Sequence, residues 1–368
     1  MKQIISGSGA GGGNLGASGP AVINNFDLIR LFAALQVVYE HVLSHLDVKI
    51  PWAEALGQLA NLFPGVPIFF VLSGFLVYWA FSKCPEWRRF ARNRFLRLYP
   101  GLWVSFACTC FLLVGFRVVT PKMFLTRQLL VWVLTQITVF PVYTPDVLRP
   151  WGAHNPNGSL WTIVVELQYY MAVPLLHRML GGRNWAVVWA GLFALSYSGS
   201  LALGHLTGVS GTAGKLAAVL LLPYLFYFLM GIGLYKAWPQ ISPYLVGRGL
   251  WWAAAYVGYT VTFSAVLRLY DISYMPSPLG LVGYMIMAAA VLSTAYSAPA
   301  FAKSVLHGTD LSYGIYIYHM LVINSLMALN LTGTSRWMAF AIGCTLAMSA
   351  ISWQFVEHPA LRLKSKWR

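Results

Sequence analysis

Apolar runs of about 20 residues, the length at which an α-helix crosses a bilayer, recur along this chain at 27–46, 64–82, 100–119, 160–177, 185–204, 215–235, 249–268, 279–297, 311–330 and 336–356. Hydrocarbon offers the backbone no hydrogen-bond partner, so segments of this kind cross as helices that satisfy their own N–H and C=O groups. The expected fold is therefore all-α, a polytopic transmembrane helical bundle of about ten spans. Composition agrees: 58% of residues are hydrophobic and 10% charged, with a mean hydropathy of +0.64, far from the profile of a soluble domain.

An eleventh stretch, 124–142, is apolar enough to cross, but Gln128 and Gln136 interrupt it. With ten spans and both termini cytoplasmic, Arg88, Arg89, Arg92, Arg94 and Arg97 face inward together with Arg178, Arg183, Lys236, Arg248, Lys303 and the C-terminal cations. That is the bias the positive-inside rule describes. Counting 124–142 as a span would turn most of those charges outward, so it is read as one re-entrant or interfacial helix, or as a segment packed in a protein-lined vestibule. Residues 1–25 are rich in Gly and Ser and lack the apolar core of a signal peptide, which predicts a disordered cytoplasmic tail. Residues 26–358 form the membrane domain and 359–368 a basic cytoplasmic tail, with the bacterial inner membrane as the expected location.

The net charge of +15 sits in short loops beside apolar spans, which suits membrane topology and anionic lipid and gives no nucleic-acid motif. Cys84, Cys108, Cys110 and Cys344 form no framework and read as apolar filler. No internal repeat is visible, and the sequence assigns no oligomeric state.

Chemistry is expected where polar groups enter the apolar runs, since ionisable side chains in a bilayer are costly. Arg30 and His41 stand eleven residues apart, on nearly one helical face and about 16 Å apart along the axis. His41 and His45 are an i, i+4 pair that can make half of a metal site, but no second His-rich cluster exists among the eight histidines, so no metal is expected; His41 can also be read as a packing residue. Ser73 and Gly74 lie inside the second run, where small residues allow close helix approach or backbone contact with a ligand. Arg94 and Arg97 fall one turn apart beside the bilayer, suited both to phosphates and to anchoring the helix by the positive-inside rule. Ser159, at the start of a helix that buries Glu166 about two turns in, can serve as its N-cap. Ser312, Tyr316 and His319 recur at helical spacing and would line one wet face.

These residues, taken in order, resemble the membrane-bound acyltransferase family 3. The matching motifs are the Arg-x10-His pair (Arg30, His41), Phe-Phe-x-Leu-Ser-Gly-Phe at 69–75, Arg-x-x-Arg-x-x-Pro (Arg94, Arg97, Pro100), Ser-Leu-Trp-x-x-x-x-Glu (Ser159 to Glu166), Ser-Tyr-x-x-Tyr-x-x-His (Ser312 to His319) and a terminal Glu-x-Pro (Glu357, Pro359). The chain departs from the family's common Asp-Gly-Leu-Arg-Gly, since Asp27-Leu28-Ile29-Arg30-Leu31 has neither glycine. Some members append a hydrolase-like domain; none follows here before Arg368, so transfer is expected to finish in the membrane domain or to pass to another protein. The resemblance implies about ten spanning helices and transfer of an acyl group, usually acetyl from acetyl-CoA, to a hydroxyl of a cell-surface glycan, a glycolipid or a secreted small molecule.

O-acylation needs a base for the acceptor hydroxyl, a stabiliser for the oxyanion and a dock for the anionic donor. His41 is the expected base, with Glu166 or a tyrosine of the 312–319 face orienting its ring. Arg30 and His319 are candidates for acceptor alignment or oxyanion stabilisation. Arg94 and Arg97 suit the CoA phosphates, with Ser73 and Gly74 beside the donor, and Ser159, Trp161, Ser312 and Tyr316 are the expected acceptor contacts. Loops such as 143–158 and 268–279 are expected to read the acceptor. Direct transfer is favoured over an acyl-enzyme because no cysteine or Gly-x-Ser-x-Gly elbow offers a nucleophile, although His41 itself could act as one. The alternative from another class is a lipid-glycan flippase or small-solute transporter with an Arg/His/Glu path; the inverted repeats it requires are not found. A His-box membrane oxidoreductase would need several His clusters.

Overall fold

A computed structural model describes residues 24–138, 143–206, 216–263, 277–298 and 301–366. The 1–25 tail, apart from its last two residues, and most of the 268–279 loop lie outside that set. The fold is all-helical: 81% of the described residues are in helix and none is in a strand. In chain order the helices are α1 (Phe26–His45), α2 (Pro51–Asn61), α3 (Gly65–Lys83), α4 (Trp87–Gly115), α5 (Arg127–Ile137), α6 (Trp161–Met179), α7 (Trp185–Leu206) and α8 (Leu225–Lys236). They continue as α9 (Trp238–Leu245), α10 (Gly249–Val261), α11 (Pro278–Ala295), α12 (Phe301–Leu306), α13 (Ser312–Ala328), α14 (Ser335–Ser352) and, after a π-turn at Trp353–Glu357, α15 (His358–Lys366).

Among the described residues, six helical stretches are long and apolar enough to cross a membrane: Pro51–Lys83, Trp87–Gly115, Gly158–Met179, Trp185–Leu203, Pro278–Ala295 and Ser335–Lys364. With these stretches and the family reported below, the chain is an integral membrane protein. Six of the ten expected runs correspond to these stretches, and in the other four the helices among the described residues are shorter or carry more charge. α1 carries Asp27, Arg30 and Glu40, α13 stops at 17 residues, and α8 and α10 have 12 and 13, about 18–20 Å against about 30 Å of hydrocarbon. In the 124–142 stretch the described helix is α5, 11 residues or about 16 Å long. Its Leu129 and Trp132 pack into a small core with Leu113 of α4, Leu148 and Trp151. The read tail after 358 is the helix α15, which lies along α4.

α13 stands at the centre. Its residues from Ser312 to Asn324 are all buried, as expected of a helix apolar around its whole circumference, and it packs against α1, α4 and α14. α1 is held between α13 and α3. At its crossing with α3, a Cβ on Gly65 would overlap the Ala33 carbonyl, and Gln36 accepts the Gly65 N–H at 2.7 Å while donating to Asn61 Oδ1 at 2.7 Å. Those bonds keep the amide of a buried α1 residue satisfied in an apolar environment.

The loop leading into α6 is held inside the bundle. Asn324 of α13 donates to Asn155 O at 2.9 Å and Pro156 O at 3.0 Å and accepts the Ala153 N–H at 2.8 Å. Asn157 Nδ2 donates to Ile317 O at 2.8 Å. Side-chain amides thus supply the partners that non-helical backbone needs at depth.

Candidate active site

α1 and α13 run parallel, so the residues that interrupt each helix meet in pairs. Near their N-terminal ends, Arg30 Nη1 lies 4.0 Å from Asp310 Oδ2 and 3.4 Å from Asp27 Oδ1. Arg97 of α4 donates to the same Asp310 Oδ2 at 2.5 Å. Asp310 Oδ1 accepts the Ser312 N–H at 3.2 Å and its hydroxyl at 2.5 Å, so this acid caps α13 while joining two guanidinium groups. Burial pushes the Asp310 carboxyl up, but Arg97, Arg30 and the bonds from Ser312 pull it down further and leave it below the ordinary carboxylate range.

This end opens onto a cavity lined by Arg30, Ser73, Arg94, Arg97, Thr162, Glu166, Tyr170, Ser312 and Tyr316 over an apolar floor that includes Val66, Phe69 and Phe70. Its few polar groups converging over an apolar floor are those of a small-molecule site. Seven residues singled out in the sequence meet here, from α1, α3, α4, α6 and α13. Glu166 Oε1 accepts from Ser73 Oγ at 3.0 Å and Tyr170 OH at 2.5 Å. Arg94 lies over the rings of Phe90 and Tyr170, 5.6 Å from each centroid.

Farther along the two helices His41 meets His319. His41 Nδ1 is 2.8 Å from His319 Nε2, and the rings stack with centroids 5.0 Å apart. His319, fully buried, places its Nδ1 3.2 Å from the carbonyl of Ile315. A carbonyl only accepts, so in the neutral pair Nδ1 of His319 carries its proton, Nε2 is the acceptor, and His41 Nδ1–H donates to it. The lone pair of His41 is then on Nε2, turned away from the pair. Tyr316 links the two poles. It lines the cavity, its ring centroid is 5.9 Å from that of His319, and its hydroxyl donates to Ser159 O at 3.1 Å and lies 2.7 Å from Thr162 Oγ1.

Other expected site residues have different surroundings. Glu166 is spent on Ser73 and Tyr170, and the ring facing His41 Nδ1 is His319. Gly74 faces α8, where a Cβ would overlap the Phe228 carbonyl; its missing side chain serves helix contact. Ser159 lies in a 3-10 turn before α6 and donates to Asn157 Oδ1 at 2.8 Å, so it is not the N-cap of α6. Trp161 packs between Phe70 and Tyr224, 6.4 and 5.2 Å away. Asp310 escaped the sequence reading because a lone acid two residues before a helix looks like loop. The π-turn brings in buried Glu357, which accepts from Ser352 Oγ at 3.0 Å and leaves Oε2 without a hydrogen bond.

A family model described as an acyltransferase domain matches residues 23–353. The chain belongs to acyltransferase family 3. Along nearly its whole length this family 3 acyltransferase is similar to Nodulation protein 10 of Rhizobium leguminosarum bv. viciae, at 32% identity over 353 residues, 93% of this chain and 94% of that protein. It is 24% identical over 349 residues to the O-acetyl transferase of Shigella phage Sf6, covering 91% and 95% of the two chains. It is 23% identical over 360 residues to the peptidoglycan O-acetyltransferase OatA of Listeria monocytogenes, covering 92% of this chain but 55% of that one. No solved structure matches the chain. An acyltransferase of this family uses an acyl donor.

Proposed function

We propose that the protein transfers an acetyl group from acetyl-CoA to a hydroxyl of a cell-surface glycan or glycolipid in the bacterial inner membrane. The observation that carries this reading is a histidine pair with an outward lone pair, set one side-chain layer from a cavity lined by three arginines. The names of the phage and Listeria relatives support acetyl as the group and glycan as the acceptor class. CoA phosphates dock on Arg94 and Arg97, and the pantetheine arm runs past Ser73 and Tyr316 towards His41. There Nε2 of His41 takes the acceptor proton as the hydroxyl oxygen attacks the thioester carbonyl. The tetrahedral intermediate collapses, the C–S bond breaks, and the thiolate of CoA leaves with that proton. His319 holds the His41 ring in the productive tautomer and shares the charge that forms on it.

Ten spans with both termini cytoplasmic, and α5 as a re-entrant or interfacial helix, complete the proposal. The donor then enters from the cytoplasm and the acceptor from the opposite face. Mass spectrometry of surface glycans from cells with and without the protein tests it. An O-linked increment of about 42 Da, the net gain when an acetyl group replaces a hydroxyl hydrogen, present only with the protein and lost on mild alkaline treatment is expected. Identical glycans in both cells, with the protein expressed and folded, would contradict it.

A further inference from the structure

The cavity that holds the arginines stops short of the histidines. Its lining includes Phe69 of α3 and Tyr316 of α13 but neither His41 nor His319. The Phe69 and Tyr316 rings meet edge to face, with centroids 6.0 Å apart and planes at 74°. On its other side the Tyr316 centroid is 5.9 Å from that of His319. Both are contact separations for aromatic rings, so the two rings close the end of the cavity nearest the histidine pair. Phe69 is half-buried and packs against two apolar clusters, one containing Phe70 and Tyr316, the other containing Val38 and Val42 to either side of His41 in α1.

The two rings are not held alike. The Tyr316 hydroxyl donates to Ser159 O at 3.1 Å and lies 2.7 Å from Thr162 Oγ1, which fixes that ring at the start of α6. The Phe69 side chain has no polar atom to tie down, and the close crossings of α3 lie elsewhere, at Gly65 on α1 and at Gly74 on α8. Phe69 is therefore the side that yields when a thioester arm passes from the arginines to His41. A slot of this kind selects by cross-section. Acetyl presents one methyl beyond its carbonyl, a linear chain is longer but no wider, and a chain branched beside the carbonyl is wider. We propose that Phe69 sets the width of the acyl group that reaches the histidine pair and makes the enzyme reject branched acyl donors. This rests on the acyl-CoA reading above and adds to it the residue that decides which donors are used.

The test is acyl transfer by the full-length protein in cell membranes, with acetyl-, butyryl- and isobutyryl-CoA supplied together and the membrane's own acceptor as recipient. Chromatography of the acids released from the product then gives the ratio of kcat/KM for each pair of donors. In the parent, isobutyryl should be used on the order of a hundredfold less well than acetyl, the discrimination that an extra apolar carbon meets in a tight pocket. Phe69→Ala should raise the isobutyryl-to-acetyl ratio at least about tenfold and Phe69→Leu by less, with the butyryl-to-acetyl ratio moving no more than about twofold. Phe70→Leu, which shortens a neighbouring ring of the same cavity that stacks on Phe228, should leave the isobutyryl-to-acetyl ratio within about twofold. If Phe69→Ala does not fold, Phe69→Leu decides. A parent that uses isobutyryl as readily as acetyl would overturn the proposal, and so would an unchanged ratio in the folded Phe69 variants or their loss of all transfer. An equal rise for butyryl, which marks room for length, or an equal rise in Phe70→Leu, which marks general loosening, would overturn it as well. A parent that transfers nothing from acetyl-CoA would instead remove the donor reading and this inference with it.

Discussion

Asp310 joins three elements at one carboxylate, since it accepts from the first turn of α13 and binds Arg97 of α4 while standing beside Arg30 of α1. Replacing it with Asn leaves two guanidinium groups facing each other in a place with little water, and removing one partner of a buried ion pair costs on the order of 3 kcal/mol. Asp310→Asn should therefore lower the thermal midpoint of the detergent-extracted protein by several degrees, more than Asp146→Asn, whose carboxylate is exposed on Arg149. The pH dependence has a definite sign. A carboxyl held below its ordinary value in the folded state contributes stability above its unfolded pKa of about 3.9. That contribution is lost as pH falls through the folded value, so the parent should lose more stability below about pH 4 than Asp310→Asn does. Equal acid sensitivity of the two proteins would remove Asp310 from this role.

Helix contact in the bundle depends on missing side chains as much as on present ones. Gly74 of α3 and Gly231 of α8 each leave no room for a Cβ, the first against the Phe228 carbonyl and the second against that of Val71, so the two helices touch backbone to backbone. Gly74→Ala should destabilise the protein by about 1–3 kcal/mol and reduce the folded yield, whereas Ser73→Ala should leave folding intact and alter turnover alone. A fully stable Gly74→Ala protein would show that α3 and α8 do not pack this closely. The helical runs were legible because apolar length is a local property. α2 was missed because Glu54 and Gln58 break its apolar pattern, and the start of α4 at Trp87 because the helix begins in a basic stretch. At the site, the periodicity of Ser312, Tyr316 and His319 exposed one face of α13, but the partner of that face was not legible. His41 and His319 are 278 residues apart, and only the parallel packing of α1 on α13 joins them.

Across the whole molecule the account requires a donor on one side and an acceptor on the other, and this depends on α5 not crossing. Single cysteines at His154 and Arg183, in a background without the four native cysteines, should react with an impermeant maleimide from opposite faces, His154→Cys from outside and Arg183→Cys from the cytoplasm. The reverse pattern would make 124–142 a true span and invert everything after it. The decisive experiment is transfer of radiolabelled acetyl from acetyl-CoA to membrane acceptor, measured side by side for the parent, His41→Ala, His319→Gln and His319→Leu at equal folded protein. General-base catalysis contributes about 10²–10⁴-fold, so His41→Ala should fall by at least a hundredfold. His319→Gln should retain more activity than His319→Leu, because its amide oxygen can still accept from His41 Nδ1. Parent-level transfer by a folded His41→Ala protein would contradict the account.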